Sequence, residues 1–220
     1  MSLDMDGAIS LRVSLPPAPQ CGAFMRYSLT TDGNALAPLI MFSDGTYLFG
    51  LYVDSDGVTL RLSDPYPSTQ QPGNAGLGAL SLATWVSLAL TRDASRQYTP
   101  YLNGVAGTPF TLPDPQGDIT QMWFSGDSVQ FNDGLCAHIV PVPRAISGTE
   151  VAQMHASATP WLVLPDAYPF VVGSGPNYDA AKTVTGTASG VAWNEGVSSY
   201  STDNPTFGAA LQGTAVLDIA

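Results

Sequence analysis

The stretch from residue 83 to residue 155 constrains the fold most, because three strand and turn signals follow one another there. The first is a strand led by Trp85, in which apolar residues alternate with small or polar ones. The second is a strand ending in Tyr-Leu-Asn-Gly at residues 101–104, and Asn-Gly favours a type I′ hairpin turn. The third is the turn Phe-Asn-Asp-Gly at residues 131–134, which leads into an apolar strand. Alternating strands joined by tight turns predict an antiparallel all-β domain.

A short helix follows these strands, since Ser147 and Glu150 have the spacing of a capping box. The order of a Trp-led strand, a strand ending in Tyr-Leu-Asn-Gly, a Phe-x-x-Gly turn and a short Ser-x-x-Glu helix resembles the concanavalin A-like, or laminin-G-like, jelly-roll superfamily. The direct match covers about a third of the chain. The resemblance implies a two-sheet antiparallel jelly-roll sandwich with one short helix near residues 147–156. It implies no single function, because lectins, glycosidases, adhesion modules and virion proteins share this fold.

Strand signals also occur outside that stretch. The segment at residues 9–15 alternates apolar and polar residues and is expected to end at Pro16 and Pro17. Asp-Gly pairs, which favour hairpin turns, recur along the chain and account for much of its aspartate. The further predicted strands are residues 22–30, 39–42, 47–53, 58–62, 119–124 and 135–142.

The composition shifts toward small residues after residue 155. We therefore expect a sandwich over residues 1–156 and a distinct C-terminal segment over residues 157–220. Two alternatives stay open for that segment. Its strands, expected at residues 183–187 and 215–219, close the sandwich at the sheet edges, or the segment is an extended arm that orders on a neighbouring subunit.

The formal net charge is −11, from seven basic and eighteen acidic residues. A chain this acidic repels phosphate backbones, so no nucleic-acid partner is expected. No membrane partner is expected either, since no stretch approaches the roughly 20 apolar residues that span a bilayer. The first thirteen residues lack the apolar region of a signal peptide, so no export signal is expected. Two cysteines are too few for a disulfide framework, and both are expected to be reduced.

Catalytic residue sets are poorly represented in the chain. Glycosidases of this superfamily resemble one another in a strand carrying Glu-x-Asp-x-x-Glu, whereas here Glu150 caps a helix and Glu195 stands in Trp-Asn-Glu-Gly. His138 and His155 are the only histidines, and no Gly-x-Ser-x-Gly motif occurs. We therefore expect a protein that is not an enzyme.

The turn at residues 54–57, Asp-Ser-Asp-Gly, has a superficial likeness to a calcium loop. It lacks the third acidic position and the glutamate that completes such a loop, so a hairpin turn is favoured. Zinc would need several His or Cys ligands. No cofactor is expected, and Ca²⁺ stays open without a residue set to support it.

Two non-catalytic functions remain. The first is a structural protein on the exterior of a bacteriophage virion, in capsid decoration or in the tail. Proteins of this superfamily usually occur outside cells, and a virion protein assembles in the host cytoplasm and leaves by lysis without an export signal. This function implies a homo-oligomer, with a trimer favoured, and other virion proteins as partners.

The second function is a glycan-binding, lectin-like module of a secreted or cell-surface protein. Such sites stack a sugar ring on an aromatic side chain and bind its hydroxyls with amides, carboxylates and backbone groups. Each aromatic residue is also open to a role in the core or an interface. The candidate glycan-binding residues are Tyr66, Gln70, Gln71 and Asn74 in the long loop after residue 63, and Tyr178, Trp193 and Asn194.

Overall fold

The computed structural model describes residues 2–4, 11–29, 37–54, 56–63, 73–112, 117–124, 134–164, 184–187, 192–194 and 215–219. These residues form strands, one α-helix, α1 (Gly148–Ala156), and one 3-10 turn (Pro160–Leu162). The strands are β1 (Ser2–Asp4), β2 (Leu11–Ala18), β3 (Cys21–Leu29), β4 (Ala37–Ser43), β5 (Leu48–Val53), β6 (Leu60–Ser63), β7 (Gly73–Asn74), β8 (Trp85–Arg92), β9 (Gln97–Leu102), β10 (Val105–Ala106), β11 (Phe110–Thr111), β12 (Ile119–Phe124), β13 (Gly134–Val142), β14 (Val184–Thr187), β15 (Ala192–Asn194) and β16 (Ala215–Ile219).

The strands form two sheets that face each other. Sheet A has the order β10-β9-β8-β3-β13-β1-β15, with β11 also paired to β9, and sheet B has the order β14-β16-β2-β12-β4-β5-β6-β7. The strand pairs are antiparallel except for β16 with β2. The two-sheet antiparallel sandwich with one short helix is therefore confirmed.

The main core lies between the two sheets and follows the alternation of the strands. On β5, for example, Phe49 and Leu51 point inward and are at most 1 % exposed. Phe49 meets Tyr98 of sheet A with ring centroids 4.8 Å apart, so the two sheets share an aromatic contact. Burying a side chain of this size contributes about 2 to 3 kcal/mol.

Helix α1 packs on the outer face of sheet A and has a second, smaller core beneath it. Val151 and Met154 of the helix are buried there against Phe24 and Tyr101. The predicted capping box is confirmed, because the Ser147 hydroxyl accepts from the Glu150 N–H and the Glu150 carboxylate accepts from the Ser147 N–H.

The turn at Asn103 and the end of β2 both bear on predictions from the sequence. Asn103 and Gly104 have φ values of 50° and 80° and connect Leu102 to Val105, which is the two-residue type I′ hairpin predicted from Asn-Gly. Strand β2 differs from its prediction, because it continues past Pro16 and Pro17. The register between β2 and β12 is irregular at that point, so the prolines are not required to donate ladder hydrogen bonds.

His138 occupies a β-bulge in β13. The register with β3 shifts between Ala137 and Val140, and His138 has a φ of 52°. Its side chain is 4 % exposed. Burial, together with the nearby Arg26, lowers the pKa of His138 to about 4. His138 is therefore a neutral, buried histidine at neutral pH.

The structure describes only part of what was predicted for the two cysteines and for the C-terminal segment. Cys21 is a free and fully buried thiol whose pKa is raised by that burial, while the side chain of Cys136 lies outside the described features. Strand β16 pairs with β2 and β14, and β15 pairs with β1. The division of the chain at residue 156, and the choice between closing strands and an arm, stay predictions. Within the described residues, no helix is long and apolar enough to cross a membrane.

Candidate functional site

Two connections meet at one end of sheet B. Strand β12 pairs with β4 so that Gln121 lies opposite Ser43, and the residues before β12 therefore approach the β4–β5 turn. The backbone N–H of Gly117 donates to Asp44 Oδ2 at 2.8 Å. We call residues 44–47 together with residues 117–118 the rim.

Asp44 organises the rim. Its Oδ1 accepts from the backbone N–H groups of Thr46 and Tyr47 at 2.8 and 2.7 Å, which closes an Asx turn. Gly45 has a φ of +91°, a conformation that favours glycine. The Asp-Gly pair is thus used in the turn as the sequence predicted.

The electrostatic state of Asp44 follows from these contacts. Burial alone would raise the pKa of its carboxyl group, but the backbone N–H groups of Tyr47, Thr46 and Gly117 outweigh that effect. The net pKa lies below the ordinary aspartate value. The rim therefore holds a fixed negative charge at neutral pH.

Tyr47 presents an aromatic surface at the rim. Its side chain is 59 % exposed, which makes it the one exposed aromatic residue among those whose burial the structure describes. Its position is set by the backbone bond to Asp44 and by the start of β5 at Leu48. An exposed tyrosine held by a rigid turn is a platform on which a flat, partly apolar ligand can stack.

The outer face of sheet B continues from the rim. Met122 and Phe124 belong to the main core, so Gln121 and Trp123, which alternate with them, point outward. Trp123 Nε1 donates to Gln121 Oε1 at 3.0 Å, which fixes the indole and leaves the Gln121 amide nitrogen as a donor for other partners. The two residues are about 7 Å apart along the strand.

Gly50 leaves room for a buried side chain in the middle of sheet B. Met41 lies opposite both Trp123 and Gly50 in the sheet and is fully buried. A Cβ added at Gly50 would lie 2.0 Å from the Ile40 carbonyl oxygen and 2.9 Å from Met41 Sδ. The missing side chain of Gly50 therefore leaves the space that the Met41 side chain occupies.

The sequence-predicted glycan residues fall in several places. Tyr66, Gln70, Gln71 and Tyr178 lie outside the described residues. Asn74 is in β7, where its backbone pairs with Arg61, and Trp193 and Asn194 are in β15, paired with β1.

The structure does not bring Asn74 together with the β15 residues. After β7, the Ala75 carbonyl accepts from the Thr108 N–H at 2.8 Å, which places this edge of sheet B beside the β9 side of sheet A. Strand β15 is five strands away from β9, or about 24 Å. A single sugar site therefore cannot contain both Asn74 and Trp193.

Strand β6 ends on the rim side of sheet B. Ser63 pairs with Gly50, and β6 runs there toward the end of the sheet at which β5 starts beside Tyr47.

The sequence reasoning did not single out Tyr47, Gln121 or Trp123 as site residues. The signal for Tyr47 was an aromatic residue two positions after an Asp-Gly pair, at the first residue of the strand predicted over 47–53, which begins at Leu48 in the structure. The signal for Gln121 and Trp123 was their alternation with Met122 and Phe124, which assigns them to the solvent side of a strand.

A second polar cluster lies at the end of α1, on sheet A. His155 Nδ1 is 2.9 Å from Ser87 Oγ, and Arg26 donates to the backbone carbonyl oxygens of His155 and Ser157. Burial and Arg26 lower the pKa of His155. Ser87 is only 2 % exposed and cannot reach a substrate, so the cluster secures the helix end rather than forming a nucleophilic site.

The carboxylates at residues 54–57 belong to a hairpin turn, as predicted. Asp56 Oδ1 accepts from the backbone N–H groups of Val58 and Thr59 at 2.9 and 2.7 Å, and Asp54 pairs with Arg61 at 2.9 Å. In the part of the chain that the structure describes, no group of three or more His, Cys, Asp or Glu residues could hold a metal ion.

Comparisons with known proteins support the fold. No protein-family model matches the chain, and no curated protein is significantly similar to it in sequence. The native heptameric SAP-like pentraxin of Limulus polyphemus is 15 % identical with a TM-score of 0.51, over 71 % of this chain and 82 % of the pentraxin chain. A Trypanosoma rangeli sialidase mutant displaying trans-sialidase activity is 16 % identical with a TM-score of 0.50, over 64 % of this chain and 23 % of that chain.

A third similar structure is the CBM40 of the Ruminococcus gnavus IT-sialidase, bound to α2,3 sialyllactose. It is 14 % identical with a TM-score of 0.45, over 62 % of this chain and 83 % of that chain. The present chain spans less than a quarter of the length of the sialidase chains that it matches. The pentraxin and the sialidase mutant share the two-sheet antiparallel sandwich with this chain, so these comparisons support the fold alone. None of the three structures is a phage component.

Proposed function

We propose that this protein is a non-catalytic glycan-binding module whose sugar site is the rim together with the adjoining outer face of sheet B. The observation that carries this proposal is the exposed Tyr47, held by Asp44 at the end of sheet B where Gln121 begins the outward side of β12. This end of the sheet therefore carries aromatic side chains and hydrogen-bonding groups. Those are the two kinds of contact that a sugar ring needs.

The chemistry of each group fits a role in sugar binding. Tyr47 stacks on the less polar face of a sugar ring, while the Gln121 amide donates to a hydroxyl oxygen. Asp44 accepts from a hydroxyl group through a lone pair that its three backbone donors do not use. Trp123 lies two residues beyond Gln121 along β12 and provides a second apolar contact.

The fold comparisons add background to this proposal. A sandwich of this kind occurs within the chain of a trypanosomal sialidase mutant that displays trans-sialidase activity, and in a pentraxin. The rim itself, and not these distant likenesses, carries the assignment. The virion role expected first from the sequence has no observation of the structure in its favour and stays a prediction, as do the trimer and the virion location.

Glycan binding by the intact chain and two variants tests the proposal. Tyr47→Ala removes the stacking surface and should weaken binding about tenfold, which corresponds to about 1.4 kcal/mol. The matched control is Val105→Ala, because Val105 is also exposed, at 68 %, but lies on the edge strand of sheet A. Equal binding by the Tyr47→Ala protein and the unaltered protein would overturn the assignment of the site.

A further inference from the structure

The charges around the rim restrict which glycans it can take, an inference that rests on the function proposed above. Asp44 carries the fixed negative charge already described, and the exposed Asp118 follows Gly117 directly. Both carboxylates belong to the same short loop pair as Tyr47. A ligand stacked on Tyr47 would therefore approach two negative charges.

Four of the described arginines do not offset this charge at the rim. Arg26, Arg61 and Arg144 are engaged elsewhere, with helix carbonyl oxygens, with Asp54 and with Glu150. Arg92 is fully buried beneath the Tyr98 ring and donates to the Pro19 carbonyl oxygen, so a ligand cannot contact it.

Two further arginines, Arg96 and Arg12, remain to be placed. Arg96 is half-buried in the β8–β9 turn, which also contains the carboxylate of Asp93. Arg12 lies opposite Trp123 in the register of sheet B. An anionic sugar bound at this face would need one of these two arginines as its partner.

We propose that the rim selects neutral glycans and rejects anionic ones, including sialic acid and uronic acids. The specificity-determining residues are Asp44 and Asp118. Each carboxylate, at roughly 7 Å from a ligand carboxylate in a water-like dielectric, weakens the binding of the anion about threefold. Together they weaken it about tenfold, and the net charge of −11 adds repulsion at low ionic strength.

The test uses pairs of probes that differ only in charge. One pair is polygalacturonate and its methyl ester, and the other is a sialylated glycoprotein before and after removal of its sialic acid. Binding of the intact chain is measured at about 20 mM and about 500 mM salt, where the Debye length changes from over 20 Å to below 5 Å. The neutral member of a pair should bind about tenfold more tightly at low salt, and the difference should shrink at high salt.

Charge variants separate the local effect from the overall charge. Asp118→Asn should raise binding of the anionic probe about threefold and leave the neutral probe unchanged. Asp56→Asn is the matched control, because it removes the same charge about 20 Å away at the opposite end of β5 and should change neither probe beyond a small uniform gain.

Two outcomes would overturn the inference, and they are distinguishable from each other. Tighter binding of the anionic probes, lost in Arg12→Gln or Arg96→Gln, would show a site for acidic glycans and leave glycan binding itself standing. Failure of every neutral and anionic probe to bind would overturn the proposed function together with the inference.

Discussion

Asp44 and Gly117 are 73 residues apart in the sequence, and a 2.8 Å hydrogen bond joins the Asp44 carboxylate to the Gly117 N–H. This bond connects the β4–β5 turn to the start of β12. Because the same carboxylate also holds the backbone of Tyr47, one side chain sets the shape of the rim.

Replacing Asp44 tests that role. Asp44→Ala leaves three backbone N–H groups without their acceptor and should lower the free energy of unfolding by about 1 to 3 kcal/mol. Asp44→Asn keeps one acceptor oxygen and should recover part of that loss. Urea denaturation of the three proteins measures the difference, and an unchanged midpoint for Asp44→Ala would show that the rim does not depend on this carboxylate.

Gly50 should tolerate no side chain. Gly50→Ala places a methyl group against the Ile40 carbonyl oxygen and the Cα of Met41, both backbone atoms that cannot move aside cheaply. We expect a loss of about 2 kcal/mol or more in the free energy of unfolding. The matched control is Gly78→Ala, where the nearest atom, Leu102 Cδ2, is 3.8 Å away, and there the change should stay below about 0.5 kcal/mol. Equal urea midpoints for the two variants would contradict the packing described for this face.

His138 should make stability depend on pH. Its pKa is lowered from 6.5 to about 4 in the folded state, so between these values the unfolded chain binds more protons than the folded one. This contribution to stability is complete above pH 6.5 and is lost as the pH falls toward 4. His138→Asn removes the titration, and asparagine tolerates the positive φ of this bulge.

Urea midpoints at pH 7 and pH 4.5 measure this effect of His138. The midpoint of the unaltered protein should fall more than that of the His138→Asn protein over this range. Parallel pH dependence in the two proteins would mean that His138 titrates normally in the folded state.

The capping box of α1 gives a second pH effect, at lower pH. The Arg144 side chain and Ser147 lower the pKa of Glu150 to about 2, from an ordinary value of 4.5. The stability it contributes is therefore present above pH 4.5 and is lost as the pH falls toward 2. Glu150→Gln should lower the free energy of unfolding by about 1 kcal/mol at pH 7 and by less at pH 3. A loss of the same size at both pH values would contradict an ionised cap.

The strands were predictable because their signals are local. The pattern at residues 119–124 and at residues 215–219 predicts the same bounds that β12 and β16 have in the structure. The Trp85 strand, the hairpin at Asn103 and the capping box of α1 also depend on neighbouring residues alone. Side-chain alternation and turn chemistry are sufficient for elements of this kind.

The candidate site was not predictable in the same way. Asp44 and Gly117 meet only because β4 pairs with β12, and periodicity does not reveal which distant strands pair. The positive φ of His138 likewise follows from the register shift between β13 and β3. Pro16 and Pro17 show a different kind of error. The local preference of proline predicted that the strand ends there, but the irregular register between β2 and β12 lets β2 continue.

The most direct test of the account is the affinity of the intact chain for immobilised neutral glycans, measured beside its Tyr47→Ala and Val105→Ala variants. We predict saturable binding that falls about tenfold in the Tyr47→Ala protein and is unchanged in the Val105→Ala protein. Binding that is equal in all three proteins would place any sugar site away from the rim. An absence of binding to the whole neutral panel by a folded protein would contradict the proposed function.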